Sequence, residues 1–222
     1  MQRILDFFLS ILGLIFISPI LVPIIIILRF SGEGEIFYLQ PRIGLNGKLF
    51  NIIKLATMLK NSENIGAGTL TLKNDPRVLP IGKFLRKAKI NELPQLFNIL
   101  LGDMSIVGPR PLVPEGESFY TESQSKLLRS VRPGVTGIGS LVLRDEESYY
   151  AHRPDSHEFY KNEISPYKAL VEMWYIENKS IYVDLKIIIL TALSIAASNL
   201  KVSLYFKSLP AMPQELYDSR ED

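Results

Sequence analysis

Cysteine is absent from this sequence of 222 residues, and its absence excludes two kinds of site. Neither a disulfide framework nor a zinc site built on thiolates can form without it. A large excess of one charge is also lacking, because the formal net charge is only +2. Proteins that bind nucleic acid usually carry a larger basic excess, so the sequence predicts no nucleic-acid partner. Internal repeats and low-complexity linkers are absent too, and the length fits one domain on a short anchor.

One long hydrophobic run is present near the N-terminus. From Phe7 to Leu28 the chain has 22 residues without a charge. As an α-helix the run is about 33 Å long, enough to cross a bilayer core of roughly 30 Å. It is too long for the apolar part of a signal peptide, and no cleavage site of small residues follows it. We therefore interpret residues 1–30 as a membrane anchor and residues 31–222 as the domain that it carries.

Pro19 and Pro23 leave two paths open for this anchor. Each proline removes a backbone donor in the middle of the run and favours a kink. The hydroxyl of Ser18 could bond a carbonyl that is freed in this way. Single arginines, Arg3 and Arg29, flank the run, so the charge rule predicts no sidedness. The sequence fits a kinked spanning helix and, equally, a re-entrant helix that bends at Ser18-Pro19 and returns to the face it entered.

The remaining residues predict a small mixed α/β domain that is mainly helical. Two β-prone segments, Glu35–Gln40 and Leu49–Leu55, flank the turn signal Asn46-Gly47 and predict a β-hairpin. Residues 61–73 are rich in Gly and Asn and predict a loop. The predicted helices are Ile81–Lys89, Asn91–Leu101, Glu117–Val131, a segment with a stripe at Tyr167, Leu170, Val171 and Trp174, and Ile187–Ser198. The last is too short to span a membrane, so it is either a core helix or an amphipathic helix in the membrane interface.

The residues around the predicted helix at Asn91 point to phosphate chemistry. Asn91 is expected to cap this helix, whose unpaired N–H groups attract anions. Guanidinium binds phosphate through two hydrogen bonds, and a carboxylate such as Glu92 is suited to hold Mg²⁺ beside a diphosphate. The basic candidates near the helix are Lys83, Arg86, Lys87, Lys89 and the arginine of Gly108-Pro109-Arg110-Pro111. Each feature alone is commonly a solvated face or a simple cap, so the prediction of a phosphoryl-transfer site depends on their combination.

At these residues the chain resembles a known family, the bacterial sugar transferases, which are monotopic polyprenyl-phosphate phosphoglycosyl transferases. The matching motifs follow one another in the family's order along nearly the whole chain. They are Ser18-Pro19, Phe37-Tyr38, QPRIG (40–44), KLATM (54–58), NDPR (74–77), GKFLR (82–86), NELPQLFNILLGDMSIVGPRP (91–111), VRPGVTG (131–137), YVDLK (182–186) and Thr191. Chance does not produce such an ordered series, so the chain is identified as a member.

The resemblance implies substrates and a compartment. The donor would be a UDP-sugar and the acceptor undecaprenyl phosphate, with UMP and a polyprenyl-diphosphate sugar as products. The family depends on Mg²⁺ and acts at the cytoplasmic face of the bacterial inner membrane. It begins the assembly of exopolysaccharide, capsule, lipopolysaccharide O-antigen or protein-linked glycans. A homodimer is compatible with this implication.

The resemblance also implies roles for particular residues. An Asp-Glu pair supplies the family's nucleophile, which attacks the β-phosphate to form a covalent phosphosugar, and its metal ligand. These are positions 91 and 92 here, and Arg86 would belong to the same catalytic site. Ser18-Pro19 would break the membrane helix. The substrate-binding residues would be Arg42, Lys54, Asp75, Arg77, Pro109, Arg110 and Pro111.

Two motifs depart from the family pattern. Asn91 stands where the nucleophilic aspartate is expected, and Leu55-Ala56 stand where the family has Phe-Arg. A carboxamide is not a useful nucleophile, and losing a covalent nucleophile can slow a reaction about 10⁶-fold. Either the enzyme is active by another route, with direct attack by the lipid phosphate or with Asp75 or Asp103 as substitute, or it is a non-catalytic member that binds nucleotide sugar or partner proteins. A third hypothesis is an engineered Asp-to-Asn protein, but two linked departures favour a divergent lineage.

Overall fold

The computed structural model describes residues 2–65, 75–150, 153–196 and 202–218. These residues are mainly helical, as the sequence predicts, and carry the predicted hairpin together with a second small sheet. The chain divides into two compact units, which are described separately. The first unit comprises Met1–Pro41 and Phe50–Ile106, and the second unit comprises Arg42–Leu49 and Val107–Asp222.

The elements are named in chain order. The α-helices of the described residues are α1 (Gln2–Arg29), α2 (Pro80–Lys87), α3 (Gln95–Leu101), α4 (Pro114–Glu117), α5 (Glu122–Leu128), α6 (Ile138–Val142), α7 (Ser156–Phe159), α8 (Ser165–Asn178), α9 (Ile181–Ala196) and α10 (Gln214–Asp218). The strands are β1 (Phe37–Ile43), β2 (Leu49–Leu55), β3 (Ser105–Val107) and β4 (Gly134–Thr136). β1 pairs with β2, and β3 pairs with β4. Most of the predicted loop 61–73 lies outside the described residues.

Helix α1 is long and apolar enough to cross a membrane, judged by length and composition. It continues through both of its prolines. Pro19 cannot donate to the carbonyl of Ile15, and the hydroxyl of Ser18 donates to that oxygen instead at 2.8 Å. The bond that the sequence predicted for Ser18 is thus confirmed, whereas α1 shows no interruption at Ser18-Pro19. One face of its C-terminal half packs through Leu21, Ile24 and Leu28 against two buried leucines of the first unit, Leu55 and Leu85.

The N-terminal turns of α1 are fixed to the first unit by polar contacts. Asp6 is buried, and its carboxylate accepts from the Ser105 hydroxyl at 2.7 Å and from the Ile106 N–H at 3.1 Å. The guanidinium of Arg3 donates to the Leu100 carbonyl at 2.7 Å, and also to the carbonyl of Ile99. A cation at a helix C-terminus satisfies carbonyls that lack an intrahelical partner. Arg3 therefore caps α3, in addition to flanking the apolar run.

The prediction of a helix from Asn91 to Leu101 was wrong in its first turn. Ile90–Glu92 form a 3₁₀ turn that begins after Lys89, whose φ is +57°, and α3 starts only at Gln95. Glu92 and Leu93 donate to the carbonyls of Lys89 and Ile90, and this 3₁₀ pattern stops at Pro94, which has no N–H to donate to Asn91. The side chain of Asn91 lies inside the 3₁₀ turn and is not the cap of a helix. Gly102, with a φ of +94°, ends α3 where the sequence predicts the stop.

The hairpin and the basic helix α2 are confirmed, and three helix predictions need correction. Residues 117–131 do not form one helix: a capping box at Thr121 starts α5 separately from α4. Helix α8 is present, but Leu170 of its predicted apolar stripe is 49% exposed. Helix α9 begins six residues earlier than predicted, at Ile181. It buries Ile187 and Leu190 and exposes an apolar stripe of Ile181, Leu185, Ile189 and Leu193.

Candidate active site

In the first unit, Lys54 on β2 and Glu92 in the 3₁₀ turn form an ion pair. The Lys54 Nζ lies 3.0 Å from the Glu92 Oε1, and both side chains are mostly buried. A partly buried pair is screened less by water than a surface pair is. The fold thus brings together two of the predicted site residues, a cation for phosphate and the expected metal ligand.

Asn91, beside Glu92, is buried, and its Oδ1 has no hydrogen-bond partner among the described residues. Leaving a buried acceptor unsatisfied costs about 1–3 kcal/mol. Such an atom in a native fold calls for an explanation, and a ligand or ion is one of the available ones. Asn91 makes neither a helix cap nor any other described contact through this oxygen, so local structure does not explain the residue.

The oxygens at positions 91 and 92 fit a magnesium ion of the expected type. Mg²⁺ is commonly held by one or two protein oxygens, with substrate phosphates and water completing its shell. Glu92 supplies a carboxylate, and the Asn91 Oδ1 is a neutral oxygen that lacks a partner. The described residues hold no cluster of three or more His, Asp or Glu side chains, so they offer no dedicated all-protein cage.

Arg86 reaches this region from α2. Its Nη1 lies 3.8 Å from the Met58 sulfur. Helix α2 packs tightly on the segment that follows Lys54: a Cβ on Gly82 would overlap the Thr57 carbonyl oxygen. That same oxygen accepts from the Leu79 N–H at 2.9 Å. Gly82 therefore fixes the distance between α2 and the Lys54 segment, and with it the position of Arg86.

Asp75 and Arg77 bind each other in the first unit. Arg77 donates to both Asp75 oxygens, with Nη2 at 2.6 Å from Oδ2, and Nη1 donates to the carbonyls of Ser62 and Ile65. The hydrogen bonds that Arg77 donates to the Asp75 carboxylate raise the pKa of Arg77. Both side chains are buried. The structure uses this pair to hold the chain at Ser62–Ile65, while the substrate-binding role of the two residues stays a prediction.

In the second unit, the backbone around Arg110 is bonded at every position from Val107 to Leu112. Gly108 N–H donates to Thr136, Gly134 N–H to Pro109, and Ile43 N–H to Leu112, at 2.9–3.0 Å. Side chains complete the set: Tyr175 donates to the Val107 carbonyl, Arg42 to the Pro111 carbonyl at 2.9 Å, and the Arg110 N–H donates to Glu172. Arg42, predicted to bind substrate, is thus brought to Pro111 as a support of the loop.

Glu172 on α8 is a buried carboxylate that the sequence did not single out. Its Oε1 accepts from the Arg110 N–H at 3.2 Å, and its Oε2 has no partner among the described residues. Burial raises the pKa of Glu172 to about 7, although the backbone hydrogen bond from Arg110 and the charge of Lys168 oppose this rise. Arg110, Lys168 and Glu172 line one small cavity of the second unit together with Tyr120.

Lys168, one turn before Glu172, is paired with a second acid. Its Nζ lies 2.7 Å from the Glu146 Oε2 and 3.4 Å from the Tyr160 hydroxyl. Burial lowers the pKa of Lys168, but Glu146, Tyr160 and Tyr120 together outweigh burial and raise it. Burial raises the pKa of Glu146, but the charge and hydrogen bond of Lys168, with the charge of Arg110, together outweigh burial and lower it. Charged residues on a helix usually predict a solvated face, so this buried network could not be predicted from the sequence.

The sequence comparisons agree with this arrangement of motifs. The family model for the bacterial sugar transferases matches residues 1–198. The chain belongs to the bacterial sugar transferase family, and its class of enzyme is therefore transferase. Its predicted motifs divide between the units, with Lys54, Arg86, Asn91 and Glu92 in the first and Arg42 and Pro109–Pro111 in the second.

Individual relatives are similar over most of this chain. The exopolysaccharide production protein ExoY of Sinorhizobium fredii is 34% identical over 212 residues, 89% of this chain and 86% of the relative. A UDP-glucose:undecaprenyl-phosphate glucose-1-phosphate transferase of Klebsiella pneumoniae is 37% identical, over 86% of this chain and 39% of the relative. An undecaprenyl-phosphate galactose phosphotransferase of Salmonella typhimurium is 32% identical, over 86% of this chain and 40% of the relative. The chain spans less than half the length of these two transferases.

Proposed function

We propose that this protein transfers a sugar-1-phosphate from a UDP-sugar to undecaprenyl phosphate and so begins the assembly of a polysaccharide or glycoconjugate. Family membership supports this reaction class, and the names of two relatives specify a nucleotide sugar or the lipid acceptor. The observation that carries the proposal is the partly buried Lys54–Glu92 pair beside the unpartnered oxygen of Asn91. A cation and two oxygen donors in this arrangement support the binding of a magnesium diphosphate.

The roles of the other residues follow from their chemistry. Glu92 and the Asn91 oxygen would hold Mg²⁺, and a bound ion would neutralise charge on the diphosphate. Lys54 and Arg86 offer positive charge to the phosphates from the first unit. In the second unit, Arg110 offers a guanidinium from a loop in which the N–H groups of Gly108 and Arg110 are both engaged. The groups of the first unit would orient the donor for an in-line displacement, and orientation with electrostatic stabilisation supplies most catalysis of phosphoryl transfer.

Asn91 favours direct transfer over a covalent intermediate. A phosphate oxygen of the lipid attacks the β-phosphorus, and the bond from that phosphorus to the oxygen bridging to the α-phosphate breaks. UMP leaves with the bridging oxygen and its electron pair. Asp75 is a poor substitute nucleophile, because both of its oxygens accept from Arg77. Asn91 equally favours a second candidate function, a non-catalytic member that binds nucleotide sugar or a partner protein at the membrane.

The Asn91→Asp variant separates these functions. We expect the parent to release UMP slowly or not at all and to form no covalent adduct. Asn91→Asp is nearly isosteric and restores a nucleophile, so it should gain a phosphosugar adduct in intact mass spectra and release UMP faster. The control is Asn51→Asp, the same change at an exposed position of β2, which should gain neither. Rapid turnover by the parent without an adduct would establish direct transfer. An inert Asn91→Asp protein would favour the non-catalytic function.

The proposed place of action is the cytoplasmic face of the bacterial inner membrane, with residues 1–30 as a re-entrant anchor and residues 31–222 as the transferase domain. Both ends of α1 contact the first unit, through Asp6 near one end and Leu28 near the other. This arrangement favours an anchor that returns to its face of entry. The exposed apolar stripe of α9 is suited to lie in the membrane interface. Lipid and enzyme would then meet at the membrane surface.

A further inference from the structure

The loop around Arg110 owes its shape to a small number of supports. Pro109 and Pro111 fix their own φ angles and have no N–H. The rotations left between them are the ψ of Pro109 and the φ and ψ of Arg110, and Pro111 restricts the last of these. Its N–H makes one hydrogen bond, to the Oε1 of Glu172 at 3.2 Å. That bond restrains the φ of Arg110, and the direction in which its side chain leaves the backbone follows from φ.

The space for the Glu172 carboxylate is made by a glycine. A Cβ on Gly139, in α6, would overlap Oε1 of Glu172. A Cβ on Gly137 would lie 3.7 Å from Oε2, which is ordinary contact. The carboxylate therefore occupies a slot between α6 and the Arg110 backbone that an alanine at position 139 would close.

Burial of the Glu172 carboxylate destabilises the fold. Its side chain is buried, its Oε2 is unsatisfied among the described residues, and its neighbour Lys168 is already paired with Glu146. An apolar residue of similar volume in the same place of α8 often stabilises a protein relative to a buried charge. The hydrogen bonds that this carboxylate does accept come from backbone N–H groups, those of Arg110 and of Gly139 at the start of α6.

We propose that Glu172 is a positioning residue, which holds the backbone of Arg110 through its N–H and so sets the direction in which the guanidinium is offered to a phosphate. The binding of a phosphate by Arg110 rests on the proposed function, whereas the hydrogen bond from the Arg110 N–H to Glu172 does not. The length of the Glu172 side chain sets the distance at which its carboxylate can accept from the Arg110 N–H. A glutamine retains an acceptor at the same distance, an aspartate is shorter by one methylene, and an alanine has none.

The first test compares three variants in the full chain, in detergent, with UDP and Mg²⁺ as the probe. Glu172→Ala and Glu172→Asp should weaken UDP binding about tenfold, the value of one lost hydrogen bond. Glu172→Gln should stay within about threefold of the parent. The control is Glu117→Ala, which removes a carboxylate from the same cavity wall and should bind like the parent. A folded Glu172→Ala protein with the parental Kd would overturn the proposal, and so would an equal loss in Glu172→Ala and Glu172→Gln.

A second variant leaves Glu172 in place and displaces it. Gly139→Ala should weaken UDP binding about as much as Glu172→Ala does. The matched control is Gly116→Ala in α4, whose new Cβ would lie 3.4 Å from Val113 and should change nothing. If Glu172→Ala does not fold, this pair decides the question, and a parental Kd for Gly139→Ala overturns the proposal.

Hydrogen exchange of the Arg110 N–H tests the role of Glu172 separately from the proposed function. The Arg110 N–H should exchange slowly in the parent and in Glu172→Gln, and at least tenfold faster in Glu172→Ala or Gly139→Ala. A parent that binds no UDP would refute the proposed function, and exchange would still decide whether Glu172 holds Arg110. An Arg110 N–H that stays protected in Glu172→Ala would overturn the inference even if the parent binds UDP.

Discussion

Asn91 and Glu92 are neighbours in the chain, and their side chains have very different surroundings. Glu92 has a lysine within 3.0 Å, while the Asn91 oxygen is buried without a partner. An aspartate at position 91 would place a second carboxylate beside Glu92, so its ionised form would need a nearby cation. A bound Mg²⁺ would supply that cation. At the residue scale, we therefore expect the activity of the Asn91→Asp variant to depend on Mg²⁺.

Glu92→Gln should abolish metal-dependent ligand protection. In the parent, UDP with Mg²⁺ should raise the thermal unfolding temperature more than UDP alone, because bound ligand stabilises the folded state. Glutamine can still accept from Lys54, but it is a weaker Mg²⁺ ligand, so the additional rise should disappear. The control is Glu35→Gln, the same change at an exposed pair with Lys60, which should keep it. Retained protection in Glu92→Gln would move the metal elsewhere, with Asp75 as the next candidate.

Glu172 should make the stability of the second unit depend on pH. Its pKa rises from 4.5 to about 7 on folding, so the folded protein binds the proton more tightly. The stabilisation is complete below the unfolded pKa and is lost as the pH rises through the folded one. The free energy of unfolding should thus fall by roughly 2–3 kcal/mol between pH 5 and 8. Glu172→Gln should remove this slope.

Denaturant titrations of parent and Glu172→Gln at pH 5 and pH 8 measure this difference. The neighbours of Glu172 do not interfere, because Lys168 and Arg110 stay charged over this range. The pKa of Glu146 is lowered, and that of Tyr160 is raised, so neither changes its charge between pH 5 and 8. Parallel pH profiles for the two proteins would contradict the prediction.

At the scale of elements, local sequence patterns predicted which helices and strands form better than they predicted the residues at which these begin. Asn46-Gly47 predicted the hairpin, and Asn46 and Gly47 do adopt positive φ angles. Pro94 predicted a helix start and instead separates a 3₁₀ turn from α3, because its missing N–H ends one hydrogen-bonding pattern before the next begins. Thr121 started a helix that the hydrophobic pattern had joined to its neighbour.

Buried charges in helices escaped the sequence analysis for a common reason. Asp6, Lys168 and Glu172 each find partners far away in the sequence, at Ser105, Glu146 and Arg110. Periodicity reports which face of a helix is apolar, and it carries no information on a polar partner that folding brings from elsewhere. By contrast, Lys54 and Arg110 were found because they stand in ordered family motifs.

Asp6 should stabilise the attachment of α1 to the first unit. Asp6→Ala leaves the Ser105 hydroxyl and the Ile106 N–H without their acceptor, and should lower the free energy of unfolding by about 1–3 kcal/mol. Asp6→Asn keeps one acceptor and should lose less. Denaturant unfolding in detergent micelles measures both, with Asp145→Ala at an exposed position as the control. An Asp6→Ala protein as stable as this control would mean that α1 is held by its apolar contacts alone.

At the scale of the molecule, the division into units does not follow the order of the chain. Residues 42–49, from the middle of the hairpin, belong to the second unit, and the flanking parts of the hairpin belong to the first. No composition change in the sequence marks these boundaries. The site motifs appear as one series along the chain, but the fold distributes them over two bodies, which the sequence analysis did not predict.

Cysteine labelling tests the path of α1, and the absence of native cysteine makes it clean. Single cysteines at Gln2 and Ser31, beyond either end of the apolar run, should both react with a membrane-impermeant reagent only from the cytoplasmic side. The contacts of both ends of α1 with the first unit are the physical reason. Labelling from opposite sides would instead establish a spanning helix. A cysteine in the exposed stripe of α9, at Leu185, serves as a control for reagent access at the membrane surface.

The engagement of both backbone N–H groups between Gly108 and Pro111 sets this loop apart from the usual phosphate-binding loops. A P-loop or a nest binds phosphate with a row of backbone N–H groups. Here the two prolines have no such group, and the N–H groups of Gly108 and Arg110 are already engaged by Thr136 and Glu172. The loop can therefore offer an anion nothing but a side chain. An anion at this loop would therefore be bound by the guanidinium of Arg110, because the N–H groups of Gly108 and Arg110 already have acceptors.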